Sequence, residues 1–440
     1  MGGADRRPAG RSCGLVFNLI RRLPVKASAQ AHMSCPSSET RGVEMSEKVV
    51  VAGVGMIPFT KPGKSDPYHV MGAAAAEKAL ADAGIDYSAV QQAYVGYVYG
   101  DSTSGQRALY QLGHTGIPVF NVNNNCSSGS SALYLARQAV ESGAVDVALA
   151  LGFEQMVPGA LGAIFTDRPS AMEVFENVRD RVRGVPDANT PNAATFFGAA
   201  GQQYVEDRGM DPSVFAHITV KSRRHAANNP YSVFRDPMSL EEVLASPHIY
   251  GPLTRFQCCP PTCGAAAAVL VSRNYAKRHG LRSDVVIAGQ ALTTDSPEAF
   301  DGDMIRLIGY DMTAQAASEV YAQSGIGPDD VRVAELHDCF TTNEFLTYEA
   351  LGLTPAGTAE KFVLDGDNTY GGRVVTNPSG GLISKGHPLG ATGLAQCAEL
   401  VWQLRGQADA RQVEGVNVAL QQNLGLGGAC VVTMYQKVDG

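Results

Sequence analysis

The sequence predicts an α/β protein built from two similar halves, and three observations support this fold class. Strand patterns alternate with helix patterns of about 10–15 residues, which is typical of βαβ units with parallel strands. The order of the patterns in residues 48–153 is repeated in residues 284–421. Residues 158–261, which separate the two, are rich in proline, asparagine and charge. We therefore expect an internal duplication that is interrupted by an insertion.

Each half begins with a strand and a helix of the same kind. The apolar run KVVVAGV at residues 48–54 predicts a buried strand, and DVVIAGQ at residues 284–290 repeats it. Alanine-rich helices are predicted over residues 75–83 and 316–324, and a glycine–isoleucine pair ends each of them.

Further strands follow in the same order in both halves. They are predicted over residues 93–98 and 331–336, and later at VDVALA (145–150) and VNVALQ (416–421). We expect two parallel sheets that pack against each other through shared helices.

The chain divides into five segments on this interpretation. The insertion is assigned as a subdomain because it is too long for a plain loop. The segments are an N-terminal targeting extension (1–45), the first part of the N-terminal half (46–157), the inserted loop subdomain (158–261), the end of the N-terminal half (262–283) and the C-terminal half (284–440).

The first residues have the composition of a targeting sequence. Up to Ser38 the chain carries six basic residues and a single acid, Asp5. A basic, acid-poor and serine-containing start predicts a mitochondrial transit peptide. The alternative is a disordered extension that has no targeting function. An arginine–leucine and glutamine–alanine pair also resembles a peroxisomal signal, which keeps the peroxisome or glycosome open, although its spacing is one residue too long.

Composition excludes several classes of protein. A net charge of −8 argues against nucleic-acid partners, and no apolar run reaches the roughly 18 residues that a membrane span needs. The nine cysteines form no disulfide framework. Cys258, Cys259 and Cys263 cluster, but two prolines interrupt them and no CxxC pair exists, so we expect no metal site.

A cysteine stands at a strand-to-helix turn in the motif NNNCSSG at residues 123–129. A strand is predicted over 119–124 and a helix over 129–142, with Ser127 or Ser128 as its cap. Unpaired N–H groups and the helix dipole are expected to lower the pKa of the Cys126 thiol and to receive an oxyanion. The simpler interpretation is a small buried cysteine.

Two further motifs supply histidines and a second thiol. HDCF at residues 337–340 follows a predicted strand, at the end where ligand sites of α/β sheets collect. His387 lies in GHP, inside the glycine-rich residues 380–393, where it can accept a thiol proton or simply be satisfied by backbone groups. Two thiols with histidines to polarise them suit acyl transfer through a thioester.

Together these motifs resemble those of the thiolases, and among them the sterol-carrier-protein-linked type of 3-ketoacyl-CoA thiolase, which has the HDCF loop. The similarity covers residues 48–435 and is most specific at NNNCSSGS and at residues 370–404. The resemblance implies the thiolase fold, with two duplicated βαβαβαββ halves in α/β/α/β/α layers. It also implies a homodimer and Claisen-type chemistry on CoA esters in lipid metabolism, such as fatty-acid β-oxidation.

The resemblance also assigns roles to individual residues. Cys126 matches the acylated nucleophile and His387 the histidine of the GHP motif. His337 stands where most thiolases have an asparagine that holds a catalytic water. Asn423 occupies the position where ordinary thiolases carry their acid/base cysteine, a departure for which Cys339 compensates by supplying a thiol from another loop.

The remaining assignments follow from the same match. The backbone N–H groups of Cys126 and Gly425 are expected to hold the oxyanion, Asn423 and Asp338 to support the site, and Cys430 to be structural. Coenzyme A is implied as co-substrate, with no permanently bound cofactor and no metal.

The reaction expected from these residues is cleavage of a 3-ketoacyl-CoA by CoA, through an acyl-enzyme on Cys126. The products would be acyl-CoA and acetyl-CoA or propionyl-CoA, and the reverse Claisen condensation uses the same groups. Two alternatives stay open: a decarboxylating condensing enzyme of the ketoacyl-synthase type, and a non-catalytic acyl-CoA- or lipid-binding protein with the thiolase fold.

Overall fold

The structure, a computed structural model, describes residues 49–158 and 167–439. The predicted targeting extension at residues 1–45 therefore lies outside the described residues, as does the start of the predicted insertion at residues 159–166.

Both halves and the insertion contribute strands. The strands of the described residues are β1 (Val50–Met56), β2 (Gln92–Gly96), β3 (Val119–Val122), β4 (Val147–Glu154), β5 (His248–Tyr250), β6 (Leu253–Thr254), β7 (Gly264–Val271), β8 (Val285–Thr293), β9 (Val333–Glu335), β10 (Val375–Thr376), β11 (Val418–Gly425) and β12 (Ala429–Lys437).

Helices connect these strands and make up most of the insertion. They are α1 (Tyr68–Ala83), α2 (Ser104–Leu109), α3 (Ser128–Glu141), α4 (Glu173–Arg183), α5 (Asn192–Arg208), α6 (Val214–Ala226), α7 (Leu240–Leu244), α8 (Arg273–His279), α9 (Met304–Leu307), α10 (Tyr310–Ser324), α11 (Thr341–Ala350), α12 (Ala359–Leu364), α13 (Gly381–Ser384) and α14 (Leu389–Arg405).

The strand order confirms the predicted duplication. Ten strands follow the order β10-β9-β11-β12-β8-β1-β7-β4-β2-β3, and β5 and β6 pair separately. Numbered along the chain, the five strands of the N-terminal half are β1, β2, β3, β4 and β7, and those of the C-terminal half are β8 to β12. From the outer edge of the sheet inward, each half shows its third, second, fourth, fifth and first strand. In both halves the second strand lies parallel to its neighbours, but the fourth and fifth run antiparallel. The prediction of parallel sheets is therefore wrong, because a short hairpin or an insertion in place of a crossover helix joins the last two strands of each half.

The prediction of two separate sheets is corrected by one contact. The first strands of the two halves, β1 and β8, lie side by side and pair at Val50 and Val286, which makes the ten strands one continuous sheet. Each of these strands would otherwise be an edge with unpaired N–H and C=O groups, and their pairing removes both edges.

Helices lie in layers around the two halves. Helices α3 and α14 pack on each other and contact strands of both halves, whereas α1 packs on β1 and β7 and α10 packs on β8 and β12. Close approach of α14 depends on glycine: a Cβ at Gly129 or Gly152 would lie 2.5 or 2.1 Å from the Gly390 carbonyl oxygen. The strands of each half thus have helices on both faces, and α3 and α14 form a layer shared by the two halves, which is the α/β/α/β/α layering that the resemblance implies.

The predicted helix stops are confirmed, but the helices are longer than predicted. Gly84 and Gly325 follow α1 and α10 in the left-handed conformation, with φ of 71° and 68°. The helices start at Tyr68 and Tyr310, several residues before the alanine runs. The apolar pattern marks only the buried part of each helix, while backbone hydrogen bonding continues into the more exposed first turns.

The insertion packs closely onto the C-terminal half. The Phe197 and Phe340 rings stack with centroids 5.0 Å apart, and Phe215 meets Phe345 edge to face at the same distance. Helices α5 and α6 thus share a hydrophobic core with the HDCF loop and α11. No helix among the described residues is both long enough and apolar enough to cross a membrane.

Candidate active site

The turn that carries Cys126 is held by side-chain amides. Asn125 adopts a left-handed conformation with φ of 51°, which asparagine tolerates better than most residues. Its N–H donates to Asn123 Oδ1 over 3.0 Å, and its Nδ2 donates to the Leu426 carbonyl over 2.9 Å. The asparagine run therefore fixes the turn locally and ties it to the β11–β12 hairpin.

The predicted serine cap of α3 is wrong. The Ser127 hydroxyl donates to the Asn124 carbonyl, and Ser128 Oγ donates to the Asn125 carbonyl while accepting from the Asn124 N–H. Neither side chain caps the helix. The hydroxyls instead satisfy backbone groups of the tight turn, which compete for them more closely than the helix N–H groups.

The structure brings three of the predicted site residues together. Cys126 Sγ and one ring nitrogen each of His337 and His387 lie within 4.8 Å of one another, and the two rings meet edge to face at 5.0 Å. They come from three separate loops. Cys126 and His337 lie in the loops that follow β3 and β9, and His387 lies in the glycine-rich loop before α14. These three residues are the candidates for catalysis, and they are called the catalytic cluster below.

Hydrogen bonds assign the proton on His387. Thr392 Oγ1 donates to the Pro388 carbonyl over 3.0 Å, so its lone pairs accept from His387 Nδ1 over 2.7 Å. Nε2 then carries a lone pair, is buried and has no hydrogen-bond partner among the described residues. His387 can accordingly act as a base toward a proton delivered to Nε2.

A longer chain of hydrogen bonds gives His337 the opposite arrangement. Gln421 Nε2 donates to the Gly393 carbonyl over 2.7 Å and to Ser130 Oγ over 3.0 Å. The Ser130 hydroxyl donates to Asn423 Oδ1 over 2.8 Å, and Asn423 Nδ2 donates to His337 Nδ1 over 2.9 Å. In neutral His337 the proton therefore sits on Nε2, which makes that atom a donor.

Loss of hydration keeps all three groups of the cluster neutral, although only the two histidines are fully buried and Cys126 is partly exposed. Burial lowers the pKa of His387 to about 3 and, with the charge of His387, holds the pKa of His337 well below its usual value. Burial and then the negative charge of Glu154 raise the pKa of Cys126 to about 12. The predicted lowering of the Cys126 pKa by the helix terminus is therefore wrong, because loss of hydration outweighs the dipole.

The second predicted thiol, Cys339, is buried near the cluster. Burial and then electrostatic repulsion from the neighbouring Cys259 and Cys126 raise the pKa of the Cys339 thiol well above its usual value. Cys259 is also adjacent, since its N–H donates to the Cys339 carbonyl over 2.8 Å. Three thiols that influence one another electrostatically thus surround the site, and a protonated Cys339 suits a proton donor.

Asp338 supports the site from behind. Its carboxylate accepts the N–H groups of Leu382 and Ile383 over 2.6 and 3.3 Å. These groups lie in the first turn of α13, the short helix that leads into His387. Asp338 thereby links the HDCF loop to the GHP loop.

Gly425 and Cys430 occupy different surroundings. A Cβ at Gly425 would lie 2.1 Å from the Asn124 carbonyl oxygen, so only glycine allows β11 to approach the Cys126 turn this closely. Cys430 is buried in the core, with Thr313 Oγ1 at 3.4 Å and Gln422 Nε2 at 3.8 Å from its sulfur. Its contacts are those of a structural residue.

Sequence reasoning missed several contributors to the site. Thr392 and Ser130 set the histidine protons, yet isolated hydroxyls in helix patterns give no signal. Cys259 lies in a cysteine cluster that was considered only as a metal site. Pro261 pairs with His387 in an isolated bridge, so the insertion lines the catalytic cluster.

The catalytic cluster also consists of residue types that bind zinc. Cys126, His337 and His387 offer three ligand atoms, which is fewer than the four of a structural zinc site. The same three atoms are those that acyl transfer requires, so the expectation of a metal-free site stays a prediction.

Comparison with known proteins identifies the class of protein. Residues 49–274 match the thiolase N-terminal domain and residues 302–435 the thiolase C-terminal domain-like family. The chain therefore belongs to the thiolase family.

Individual relatives indicate which type of thiolase the chain resembles. The chain is 54% identical over 405 residues to sterol carrier protein 2 of Oryctolagus cuniculus, which covers 91% of this chain and 74% of that protein. It is 38% identical over 396 residues to the benzoylsuccinyl-CoA thiolase subunit BbsB of Thauera aromatica, covering 88% of this chain and 97% of the subunit. The predicted resemblance to the sterol-carrier-protein-linked thiolases is confirmed.

Solved structures agree on the fold. The Ltp2-ChsH2(DUF35) aldolase superposes with a TM-score of 0.75 at 25% identity, over 89% of this chain and 98% of that one. Human mitochondrial 3-ketoacyl-CoA thiolase in complex with CoA superposes with a TM-score of 0.68 at 18% identity, over 90% and 99% of the two chains. The predicted thiolase fold is thereby confirmed.

Proposed function

We propose that the protein is a 3-ketoacyl-CoA thiolase that uses coenzyme A as co-substrate and forms an acyl-enzyme on Cys126. The observation that carries the proposal is the catalytic cluster, in which Cys126 Sγ and one ring nitrogen of each histidine lie within 4.8 Å of one another. Hydrogen bonds leave a lone pair on Nε2 of His387 and an N–H on Nε2 of His337. Such a set can remove a thiol proton and stabilise an oxyanion in the same site.

In acylation the Cys126 proton moves to Nε2 of His387 as the sulfur attacks the 3-keto carbon of the substrate, because burial keeps both groups neutral until the substrate takes up the negative charge. The tetrahedral oxyanion is held by the N–H groups of Cys126, in the turn after β3, and of Gly425, at the end of β11. The glycine allows these two segments to approach each other.

Cleavage of the C2–C3 bond leaves the acyl group on Cys126 and an enolate of acetyl-CoA or propionyl-CoA. His387, now protonated at Nε2, donates to the enolate oxygen, and the N–H of His337 or a water that it orients donates as well. The buried Cys339 thiol protonates C2, which releases the first product.

Deacylation reverses the proton transfers. The Cys339 thiolate takes the proton of the CoA thiol, and the CoA sulfur attacks the acyl-enzyme. Cys126 departs and recovers its proton from His387, so the enzyme returns to its starting state. The same steps run backwards give the Claisen condensation.

A homodimer is part of the proposal. Strand β3 pairs with β2 on one side and is the edge of the sheet on the other, and Phe120 on it is 46% exposed. An exposed edge with a large apolar side chain favours pairing with a second copy. Because β3 leads directly into the Cys126 turn, dimerisation would also support the nucleophile. Sedimentation should give a dimer, and Phe120→Asp should shift it toward monomer; a monomeric wild-type protein would contradict the proposal.

Delivery to mitochondria is proposed from the basic, acid-poor first 45 residues, with the peroxisome or glycosome as the alternative. The mature protein isolated from mitochondria should lack its first residues. A protein that stays in the cytosol and still begins at Met1 would contradict this, whereas an uncleaved protein in peroxisomes would favour the alternative.

An activity assay separates this function from its alternatives. Acetoacetyl-CoA with CoA should yield acetyl-CoA, and Cys126→Ala should lose at least about 10⁴-fold in turnover because no other group can carry the acyl chain. Cys397→Ala, a buried thiol of α14, is the matched control and should stay active. Turnover only of a malonyl-type substrate with CO₂ release would indicate a decarboxylating synthase. Binding of acyl-CoA without any turnover would indicate a lipid-binding protein.

A further inference from the structure

Glu154, the last residue of β4, is a fully buried carboxylate that the mechanism does not use. It accepts three backbone N–H groups, from Val98 over 3.1 Å, Tyr99 over 2.9 Å and Gly390 over 3.0 Å. No ion pair within the described residues includes it. A carboxylate that is buried without a cation is costly unless hydrogen bonds compensate for its lost hydration, so its place in the fold requires a reason.

The three N–H groups belong to segments that flank the catalytic cluster. Val98 and Tyr99 follow β2, and Gly390 lies in the first turn of α14, three residues after His387. Helix α14 begins after Pro388, whose side chain gives no cap. The Glu154 carboxylate therefore supplies, from the other half of the molecule, an acceptor at the positive end of this helix.

Tight packing makes this link specific. A Cβ at Gly390 would lie 2.5 Å from the carbonyl oxygens of both Gly96 and Phe153. The start of α14 is thus wedged between the ends of β2 and β4, directly beside the Glu154 side chain. The GHP loop has little freedom to move as long as these contacts and hydrogen bonds persist.

We propose that Glu154 is a positioning residue for acyl transfer, whose carboxylate fastens the His387 loop to the N-terminal half of the sheet beside the Cys126 turn. This proposal rests on the proposed thiolase function. A displacement of about 1 Å of a group that must meet the substrate can cost about 10²-fold in rate. His387 is such a group, because it must lie at the correct distance from Cys126.

The hydrogen bonds of Glu154 favour the reaction, whereas its negative charge makes the Cys126 thiol less reactive. After burial, it is the negative charge of Glu154 that raises the pKa of Cys126. Burial raises the pKa of Glu154 itself to about 7, against the three N–H groups, which favour the carboxylate. Removal of the charge should therefore make the resting Cys126 thiol more reactive, while loss of the hydrogen bonds should make the enzyme slower.

Glu154→Gln tests both effects at once. An amide has one acceptor oxygen, and its NH₂ group would face N–H donors, so the three hydrogen bonds cannot all remain. We expect kcat to fall about 10²-fold with KM little changed. Alkylation of Cys126 by iodoacetamide at pH 8, followed on its peptide, should become about tenfold faster, which corresponds to one unit in the thiol pKa.

Two further variants separate position from charge and from stability. Glu154→Asp keeps the charge but is one methylene shorter, so we expect a smaller loss of kcat and an alkylation rate like that of the wild type. Glu349→Gln is the matched control, because Glu349 is also buried and accepts from the Tyr204 hydroxyl and the Ala359 N–H, away from the cluster. It should change neither kcat nor alkylation.

The outcomes are distinct. Unchanged kcat in Glu154→Gln, or kcat and alkylation that fall together, would overturn the proposal. If Glu154→Gln does not fold, Glu154→Asp decides, since full kcat in that variant would also overturn it. An inactive wild-type protein would instead contradict the thiolase function, and the order of alkylation rates would still report whether Glu154 controls Cys126.

Discussion

The two halves of the molecule share one strand order but differ in what their turns carry. In the N-terminal half the third strand, β3, leads through the Cys126 turn into α3. In the C-terminal half the third strand, β10, leads through the His387 loop into α14. Because α3 and α14 pack on each other, duplication places Cys126 and His387, the proposed nucleophile and base, face to face from equivalent positions.

The link between the fourth and fifth strands differs more strongly. Strands β11 and β12 are joined by a tight hairpin in which Gly427 and Gly428 have φ of 101° and 104°. At the equivalent place in the N-terminal half, the chain between β4 and β7 holds the insertion. The hairpin of the C-terminal half thus supports the Cys126 turn, whereas the insertion of the N-terminal half places Cys259 and Pro261 beside the site. The duplicated scaffold thus sets where groups can lie, while the turns decide their chemistry.

The largest expected effect concerns the two histidines. The hydrogen bonds place the proton on Nδ1 in His387 and on Nε2 in His337. In His387→Asn the amide cannot accept the Cys126 proton, so kcat/KM should fall about 10²–10⁴-fold. In His337→Asn an amide N–H can still donate to the enolate oxygen, so the loss should be only about tenfold, as expected when one hydrogen bond is weakened. Steady-state kinetics with acetoacetyl-CoA and CoA measures both. Equal losses, or the reverse order, would contradict the assigned protons.

A second test concerns the resting state of Cys126. With a pKa of about 12, the thiol is protonated at neutral pH and only a small fraction is thiolate. Its alkylation rate by iodoacetamide should therefore rise about tenfold per pH unit from pH 7 to 10 without levelling off. The unfolded protein is the control and should level off near the ordinary thiol pKa of about 8.5. A plateau for native Cys126 at neutral pH would show that the helix terminus dominates after all.

The smallest expected effect tests the symmetry of the halves themselves. Gly84 and Gly325 end α1 and α10 with nearly equal positive φ, and a Cβ at either would point into open space. Gly84→Ala and Gly325→Ala should each cost about 1–2 kcal/mol of stability through the left-handed conformation alone. Urea unfolding should give similar losses for both, with kcat unchanged. A large difference between them would mean that the two ends are not equivalent.

Much of the fold was predictable because repeated patterns specify it. The strand runs at residues 48–54 and 284–290 and the glycine stops Gly84 and Gly325 correspond to elements of both halves. The joining of the two sheets was not predictable, because it depends on a single pairing between distant edge strands, Val50 and Val286. Local patterns carry no information about such a pairing.

The same limit applies to the site. Motifs identified Cys126, His337 and His387, which the structure brings together. The direction of the Cys126 pKa shift was wrong because burial, which outweighs the helix dipole, depends on packing from distant segments. The hydrogen bonds of Glu154 join segments that are far apart in the chain, so no spacing in the sequence could indicate them. The bond between Thr392 and His387 spans only five residues, but a single hydroxyl in a helix pattern gives no signal of it.

Trapping the acyl-enzyme tests the central claim, that Cys126 carries the acyl group while Cys339 moves protons. Wild-type and variant proteins are mixed with acyl-CoA and their intact masses are measured, alongside turnover. Cys339→Ala should hold an acyl adduct yet lose about 10²–10⁴-fold in turnover, whereas Cys126→Ala should show no adduct. Cys430→Ala and Cys259→Ala should behave like the wild type. An adduct in Cys126→Ala, or near-normal turnover in Cys339→Ala with collapse in one of the other two thiol variants, would contradict the account.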